Sequence, residues 1–533
     1  MVDRVRLVAE VDVAILILRI CSYASHFLPS PGYTPDKIRG VSLPDVRKSC
    51  DEIADTLAAI SAAADGRGSL IRIQHLAFFG LRCQIEGKTI AFWEVLSHAI
   101  RVAQSIGIHS DVAKSRQSMD EIDQEMERRT FCNLYIWDSL LSRQLDYIAF
   151  LPEGLHPGNW PQLDLNKSSR GGESIDPGSD APEPFTERLL QARLAEFWRS
   201  IGPLQGAEYD MVVAEERCEK FCCEYLSQLP PAFALVNPDK RWDKRLPKLL
   251  LQRQLLHIAI YDSIYWNFRP LLLFHDQERV ESLSLPTYKR VLLGLQEKAL
   301  AVAALRALDG VTQLHALLGG SHTRFAGLVF STFEAAVVLV CLCMDPMFPK
   351  DTHDGHVPPP GTLNENTDPL QTGIRNLTRR GCLQAVQGAL KRLKMLADVS
   401  SMADIGASTL TRLMSKLLET STKTGSATNE LALSQNQEIV NTTASLTTTK
   451  SSNAQLEAIP AGAEIVSWFS CEPADLRSMK EFTSMSETSV EGDMASWPSF
   501  DPPNMDSQSD FVSMNTMQDR QSNSATSIMD FGH

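Results

Sequence analysis

The chain has 533 residues, 43% hydrophobic and 22% charged, which is enough to bury a sizeable core. Its net charge of −14 is unevenly spread: from Ser421 to His533 there are 15 Asp/Glu against five Lys/Arg, so the first 420 residues are nearly balanced. Such a body is poor material for independent DNA binding through phosphate contacts, and 11 cysteines scattered over this length exclude a disulfide-framed small secreted domain.

In chain order, the apolar run Val13–Leu18 is short and follows Asp3, Glu10 and Asp12, where a signal peptide would be basic. Trp93, Leu96, Ile100, Ala103 and Ile106 recur three and four apart and predict one face of a helix that stops at Gly107. Ser118 and Glu121 have the spacing of a capping box opening the next helix, with Asp120, Asp123 and Glu125 loading its first turns with negative charge. Its apolar stripe runs through Ile122, Met126, Leu134, Trp137 and Leu141. Further helices are predicted at 187–199, 211–229, 247–266, 290–308, 324–344 and 374–396, and no run has the alternation of a strand. The fold class is therefore all-α over about residues 1–420, with long Pro-rich loops near 152–184 and 346–368.

Phe325–Met344 is long enough to span a bilayer, but Glu334 near its middle favours a buried core helix in a soluble, intracellular chain with no membrane contact. Beyond about Thr420, Ser, Thr, Asn and Gln dominate and helical periodicity disappears, as in a disordered segment. Isolated aromatics stand there in acidic surroundings: Trp468, Phe469, Phe482, Trp497, Phe500, Phe511 and Phe531. Such islands suit capture by an apolar groove of a partner, the physical logic of an activation segment; the alternative is a solubilising tail.

Catalytic and metal-binding patterns find little support. Gly87-Lys88-Thr89 lacks the first glycine of a phosphate loop, since Arg82 stands where it should be. Gly319-Gly320-Ser321-His322 is not a nucleophile elbow. Asp351, His353, Asp354 and His356 sit in a Pro-rich loop without a known ligand spacing, and no pair of C-x-x-C motifs exists. Cys218, Cys222, Cys223, Cys341 and Cys343 read as small core residues. No enzyme activity, metal or cofactor is expected of this chain. Arg379 and Arg380, then ten residues, then Lys391, Arg392 and Lys394 fit a bipartite nuclear-localisation pattern, though the same residues fit the solvated face of a helix whose other face carries Leu383, Val386, Leu390 and Leu393.

Two stretches permit a more specific comparison, FWEVLSHAIRVAQSIGIHSD at Phe92–Asp111 and EMERRTFCNLYIWDSLLSRQLDYIAFLPEGL at Glu125–Leu155. They resemble the regulatory domain, or middle homology region, of fungal-specific transcription factors. The matching positions are Ala99, Arg101, Ala103, Gly107, Ile108 and His109, then Glu127 (shifted by one), Arg128, Arg129, Phe131, Tyr135 and Asp138. Asn267-Phe268-Arg269-Pro270 is similar to a later element of the family, and Phe325–Met344 to its buried helix. Physically, Gly107 suits a left-handed helix end, Glu125 stands three and four residues before Arg128 and Arg129 as in a salt-bridged helix face, and Trp93, Trp137 and Trp266 are expected in the core.

Three departures stand out. Ser139 replaces an arginine common after the aspartate, Leu145-Asp146-Tyr147-Ile148 replaces the family's next turn, and the N-terminal six-cysteine binuclear zinc cluster of the family is absent from this sequence. The resemblance implies a nuclear regulator of RNA polymerase II transcription, its tail contacting the transcription machinery or a coactivator. DNA would be reached indirectly or through a missing N-terminal module, and a homo- or hetero-dimer partner is possible in this class. The alternative is a ligand-sensing or scaffolding helical module without a transcriptional role.

Overall fold

A computed structural model of the chain describes residues 2–28, 37–110, 120–162, 181–202, 209–272, 286–319, 325–349 and 370–425. The candidate activation aromatics Trp468, Phe469, Trp497, Phe500 and Phe511, the loop residues Asp351–His356 and the predicted cap Ser118 lie outside the described residues.

The first core is built by α1 (Val2–Ser25), α2 (Leu43–Ala64), α3 (Leu70–Ile85), α4 (Thr89–Ile106) and α5 (Glu121–Leu145). Ser42 and Ser69 start α2 and α3, each hydroxyl accepting the backbone N–H three residues on, at 3.2 and 3.0 Å. The turn from α3 to α4 passes through Gly87 at φ +77°, so the Gly87-Lys88-Thr89 sequence serves a tight helix–helix connection. Gly107 ends α4 in the left-handed conformation, with its N–H on the carbonyl of Ala103. The apolar faces meet around Phe78, Phe92, Leu96, Ile100, Phe131, Tyr135 and Trp137, all buried. Arg72 of α3 reaches Asp12 of α1 at 3.5 Å and Ser61 of α2 at 2.7 Å, pinning three helices with charge-assisted bonds.

The second core contains α6 (Thr186–Ile201), α7 (Met211–Glu224), α8 (Leu249–Phe268), α9 (Thr287–Leu317), α10 (Ala326–Met344), the short α11 (Gln371–Arg375), α12 (Arg379–Leu396) and α13 (Ser401–Gly425). The most apolar of these is α10, whose Ala335–Leu342 side chains, apart from the partly buried Cys341, are buried among α9, α12 and α13. Length and composition alone would let α10 cross a membrane, but here it is the centre of a helical core. The sixth helix is shared: Leu190 and Leu194 face the second core while Ala192 and Ala195 face the first. Both cores thus pack on one element, which joins them.

The all-α class holds, with thirteen α-helices among the described residues. Several local expectations need correction. One two-residue hairpin does occur, Lys37–Ile38 against Val41–Ser42, turned by Arg39 and Gly40 at positive φ as a tight hairpin requires. The fifth helix starts at Glu121 with Asp120 at its cap position, and the Asp120 side chain makes no capping bond. The helix predicted over 374–396 is two, because Thr378 caps a fresh start by accepting the N–H of Gly381 at 3.1 Å. Likewise 211–229 ends as an α-helix at Glu224 and tightens to a 3-10 turn at Leu226–Gln228 before Pro230. Within the expected loop at 152–184, the described part holds a 3-10 turn at Pro157–Asn159.

Candidate functional site

The residues that carry the sequence resemblance cluster on α5. Glu125 is fully buried and accepts from Arg128 Nε at 2.9 Å, Arg129 Nε at 2.8 Å and the backbone N–H of Gln162 at 3.0 Å. The salt-bridged face expected from the spacing of Glu125, Arg128 and Arg129 is therefore present, and it is buried. Three donors on one carboxylate offset the cost of taking it from water. Arg129 also lies over the Phe185 ring, 4.8 Å from its centroid, which leads the cluster towards α6.

Three turns along, Asp138 is fully buried and ties three segments together. One carboxylate oxygen accepts the Phe150 N–H at 3.0 Å; the other accepts Leu151 N–H at 2.9 Å and Arg199 Nη2 of α6 at 2.8 Å. Arg199 gives its other nitrogen to the carbonyls of Leu151 and Pro152 and lies 4.4 Å from the centroid of the Tyr135 ring. Asp138 thus fixes the chain leaving α5 and docks α6 at once. By contrast, Arg101 and His109 are exposed: Arg101 reaches Ser97 at 3.5 Å, and the His109 carbonyl accepts Asn159 Nδ2 at 2.9 Å. Of the expected core tryptophans, Trp93 and Trp137 are buried, but Trp266 is half-buried, with the Arg143 guanidinium 5.6 Å from its ring centroid.

Beyond Asp138, α5 forms one wall of a cavity of about 100 Å³ where the two cores meet. Leu140, Arg143 and Gln144 of α5 face Leu194 and Trp198 of α6, Leu255, Ile258 and Asp262 of α8, and Phe330 and Glu334 of α10. Its polar end is an acid pair. Tyr265 bridges Asp262 and Glu334, the latter at 3.0 Å, and Arg143 reaches Asp262 at 3.4 Å. A hydroxyl has one proton to donate, so the two acids are not equivalent. Burial, and then the Asp262 charge, raise the proton affinity of Glu334. The Tyr265 hydroxyl can donate to only one of the two acids at a time, and burial favours the proton-bearing form of Glu334. This explains how an acid sits in the most apolar helix of the chain. Sequence reading placed Glu334 inside a core helix but had no means of finding its partners, which come from a helix some seventy residues earlier.

The five basic residues on α12 divide. Arg392 is buried, its guanidinium bonded to Thr312 of α9 and 3.5 Å from Thr332 of α10. Arg379 donates to the carbonyls of Cys343 and Asp345 at 2.6 Å each, closing the C-terminal end of α10. Arg380, Lys391 and Lys394 are exposed. Among the cysteines, Cys218 and Cys343 are core residues as expected, whereas Cys223 is exposed. Among the described residues no group of three or more His, Cys, Asp or Glu is placed to hold a metal.

Comparison with known proteins agrees with the motif positions. The fungal specific transcription factor domain matches residues 12–153, from within α1 through α5 to the Asp138-bound segment. The chain is 44% identical over 422 residues to transcription factor xilB of Penicillium rubens, an alignment covering 78% of this chain and 61% of that protein. It is 36% identical over 435 residues to the probable transcription factor sol4 of Alternaria solani, covering 80% of this chain and 74% of that protein. No solved structure matches the chain. With the motif of α4 and α5 in place and this identity extending across both helical cores, the chain belongs to the family of fungal-specific transcription factors.

Proposed function

We propose that the protein is a nuclear regulator of RNA polymerase II transcription, with the two-core helical body as its regulatory domain and Ser421–His533 as an activation segment. The observation that carries this reading is the identity to two proteins named as transcription factors over more than 400 residues. The charge distribution supports it: the acidity and the isolated aromatics lie together in the tail, while the body is nearly neutral. In this reading the tail contacts a coactivator or the transcription machinery, and DNA is reached through a partner or a module beyond these residues.

The test is a reporter assay with a heterologous DNA-binding domain fused to the full chain and, separately, to Ser421–His533. Activation by the tail fusion, reduced when Trp468, Phe469, Trp497 and Phe500 are replaced by alanine, is the expected result. Reporter output equal to that of the DNA-binding domain alone in both fusions overturns the reading. A second reading, a ligand-sensing module acting through protein partners, is favoured by one observation, the cavity between the cores.

A further inference from the structure

Helices α1 and α2 lie antiparallel in a register fixed by polar contacts. The Ser25 carbonyl accepts from Arg47 at 3.1 Å, Arg19 reaches Asp51 at 3.3 Å, and the Ser61 hydroxyl donates to Asp12 at 2.5 Å. Each helix carries a second apolar stripe that the core does not use. On α1 it is Leu7, Val11, Ala14, Leu18 and Cys21; on α2 it is Cys50, Ile53, Leu57, Ile60 and Ala64. Both stripes advance by alternate steps of three and four residues, the spacing with which one helix seats against another. In this register they pair layer by layer, from Cys21 beside Cys50 at one end to Leu7 beside Ala64 at the other. The first layer has its own sign: after burial, Cys21 is the largest influence pushing the Cys50 thiol up. None of these residues is charged and none is fully buried. Leu7, Ile53 and Ile60 are 59, 51 and 57% exposed, and Ile17 beside them is 45% exposed. Single apolar side chains are common on a surface, but a contiguous patch marks a contact.

We propose that the outer face of α1 and α2 is a self-association surface, on which a second copy of this chain docks to close a four-helix contact. A twofold axis running along the helices lays α1 of each copy antiparallel on α2 of the other, with every layer facing the same layer. Side-chain sizes suit that arrangement. Leu57 of one copy then faces Ala14 of the other, and Leu7 faces Ala64, so large side chains meet small ones as close packing requires. The two stripes carry no charge, so the face offers nothing to select an acidic or basic partner, whereas an apolar copy of itself matches it. From Leu7 to Cys21 the stripe runs about 21 Å at ~1.5 Å per residue, and two helix widths of roughly 10 Å make a patch on the order of 400 Å². Pairing two such patches with their rims buries on the order of 1,000 Å² in total, the size of a weak, reversible contact. This inference goes beyond the transcriptional reading and stands without it, since association is measured on the purified chain.

The experiment is analytical ultracentrifugation of the full-length chain from about 1 to 200 µM, the range in which a contact of this size associates. The wild type is expected to pass from monomer to dimer across it. Ile53→Asp and Ile60→Asp are each expected to weaken the dimer at least about tenfold. Ala59→Asp, exposed on the same helix but off the stripe, should change it by less than about twofold. A melting curve of each variant separates loss of association from loss of fold, and either isoleucine variant alone suffices. A mixing experiment then tests the pairing. Leu18→Lys and Ile53→Asp chains are each expected to be monomeric alone and to associate when mixed, because the new cation of one copy faces the new anion of the other. The proposal is overturned if the wild type stays monomeric throughout, or if its dimer is indifferent to both isoleucine substitutions in folded protein. It is equally overturned if the mixed chains stay monomeric, or if a monomeric wild type sediments with phosphatidylcholine vesicles through this stripe, which would assign the face to a lipid surface.

Discussion

Asp138 of α5 and Arg199 of α6 meet at 2.8 Å across 61 residues of chain, with the carboxylate fully buried and two backbone N–H groups sharing it. Removing the acid strands a guanidinium and two donors in the interior. Asp138→Ala is therefore expected to lower stability by about 3–5 kcal/mol, the usual cost of breaking one side of a buried ion pair. Urea denaturation of the wild type, both single variants and the double variant with Arg199→Ala measures it. A coupling below about 0.5 kcal/mol would mean that the two residues act independently.

Gly107 ends α4 at φ +85°, with open space where a Cβ would go. The strain on substitution is then of the backbone alone, about 1–2 kcal/mol for an L residue held in the left-handed region. Gly107→Ala should lose that much in thermal unfolding, and Gly107→Asn less, because asparagine tolerates this conformation. Equal losses for the two would show that the cost lies elsewhere.

Two histidines sit in the interior as neutral rings, His75 buried and His257 half-buried. Burial, with Arg19 and Arg72 adding to it, lowers His75 to about 3; burial also lowers His257 to about 4, where its Nε2 lies 3.0 Å from the Phe233 carbonyl. Below the ordinary histidine value near 6.5 the unfolded chain takes up protons that the folded chain refuses. The histidines' contribution to stability is thus complete above about pH 6.5 and declines as the pH falls towards 3–4. His75→Gln should flatten that decline relative to wild type between pH 6.5 and 4.5 in isothermal urea titrations. A parallel pH profile would remove His75 from the account.

Glu334 carries the opposite sign. Its proton affinity is raised by burial and then by Asp262, so the folded chain holds a proton that the unfolded chain releases above about pH 4.3. Stability contributed by the neutral acid is lost as the pH rises through the folded-state value. Glu334→Gln keeps the shape and hydrogen-bonding capacity without the charge. It is expected to be near neutral at pH 4.5 and progressively more stable than wild type towards pH 8. A difference that stays constant over this range would count against a neutral Glu334.

On α12 the basic residues should separate by burial. Arg392→Ala empties a buried site bonded to Thr312 and Thr332 and is expected to cost about 2–4 kcal/mol. The triple replacement of Arg380, Lys391 and Lys394 by alanine touches exposed positions and should stay within about 0.5 kcal/mol per site. That triple variant is the clean probe of import through this helix. Loss of nuclear accumulation at unchanged stability is the outcome expected if α12 carries the signal, and unchanged accumulation assigns these side chains to solvation.

What the sequence determined by itself was local or compositional. Apolar residues three and four apart specify helices, Gly107 specifies where one stops, and charge counting places the acidity in the tail, because each of these depends on neighbours within a turn or on sums. The motif around Arg128, Arg129 and Asp138 was legible as a resemblance. What those residues do was decided only by tertiary structure. The partner of Asp138 is 61 residues away, that of Glu334 is 69 away, and Arg392 is buried by threonines 60 and 80 residues distant. No helical periodicity encodes such distances. Trp266 and Arg392 show the consequence in opposite directions: a tryptophan expected inside is half-exposed and an arginine expected outside is buried. Burial is set by which helices pack against which, and the free energy of a charge or a ring follows from that environment rather than from its place in the chain.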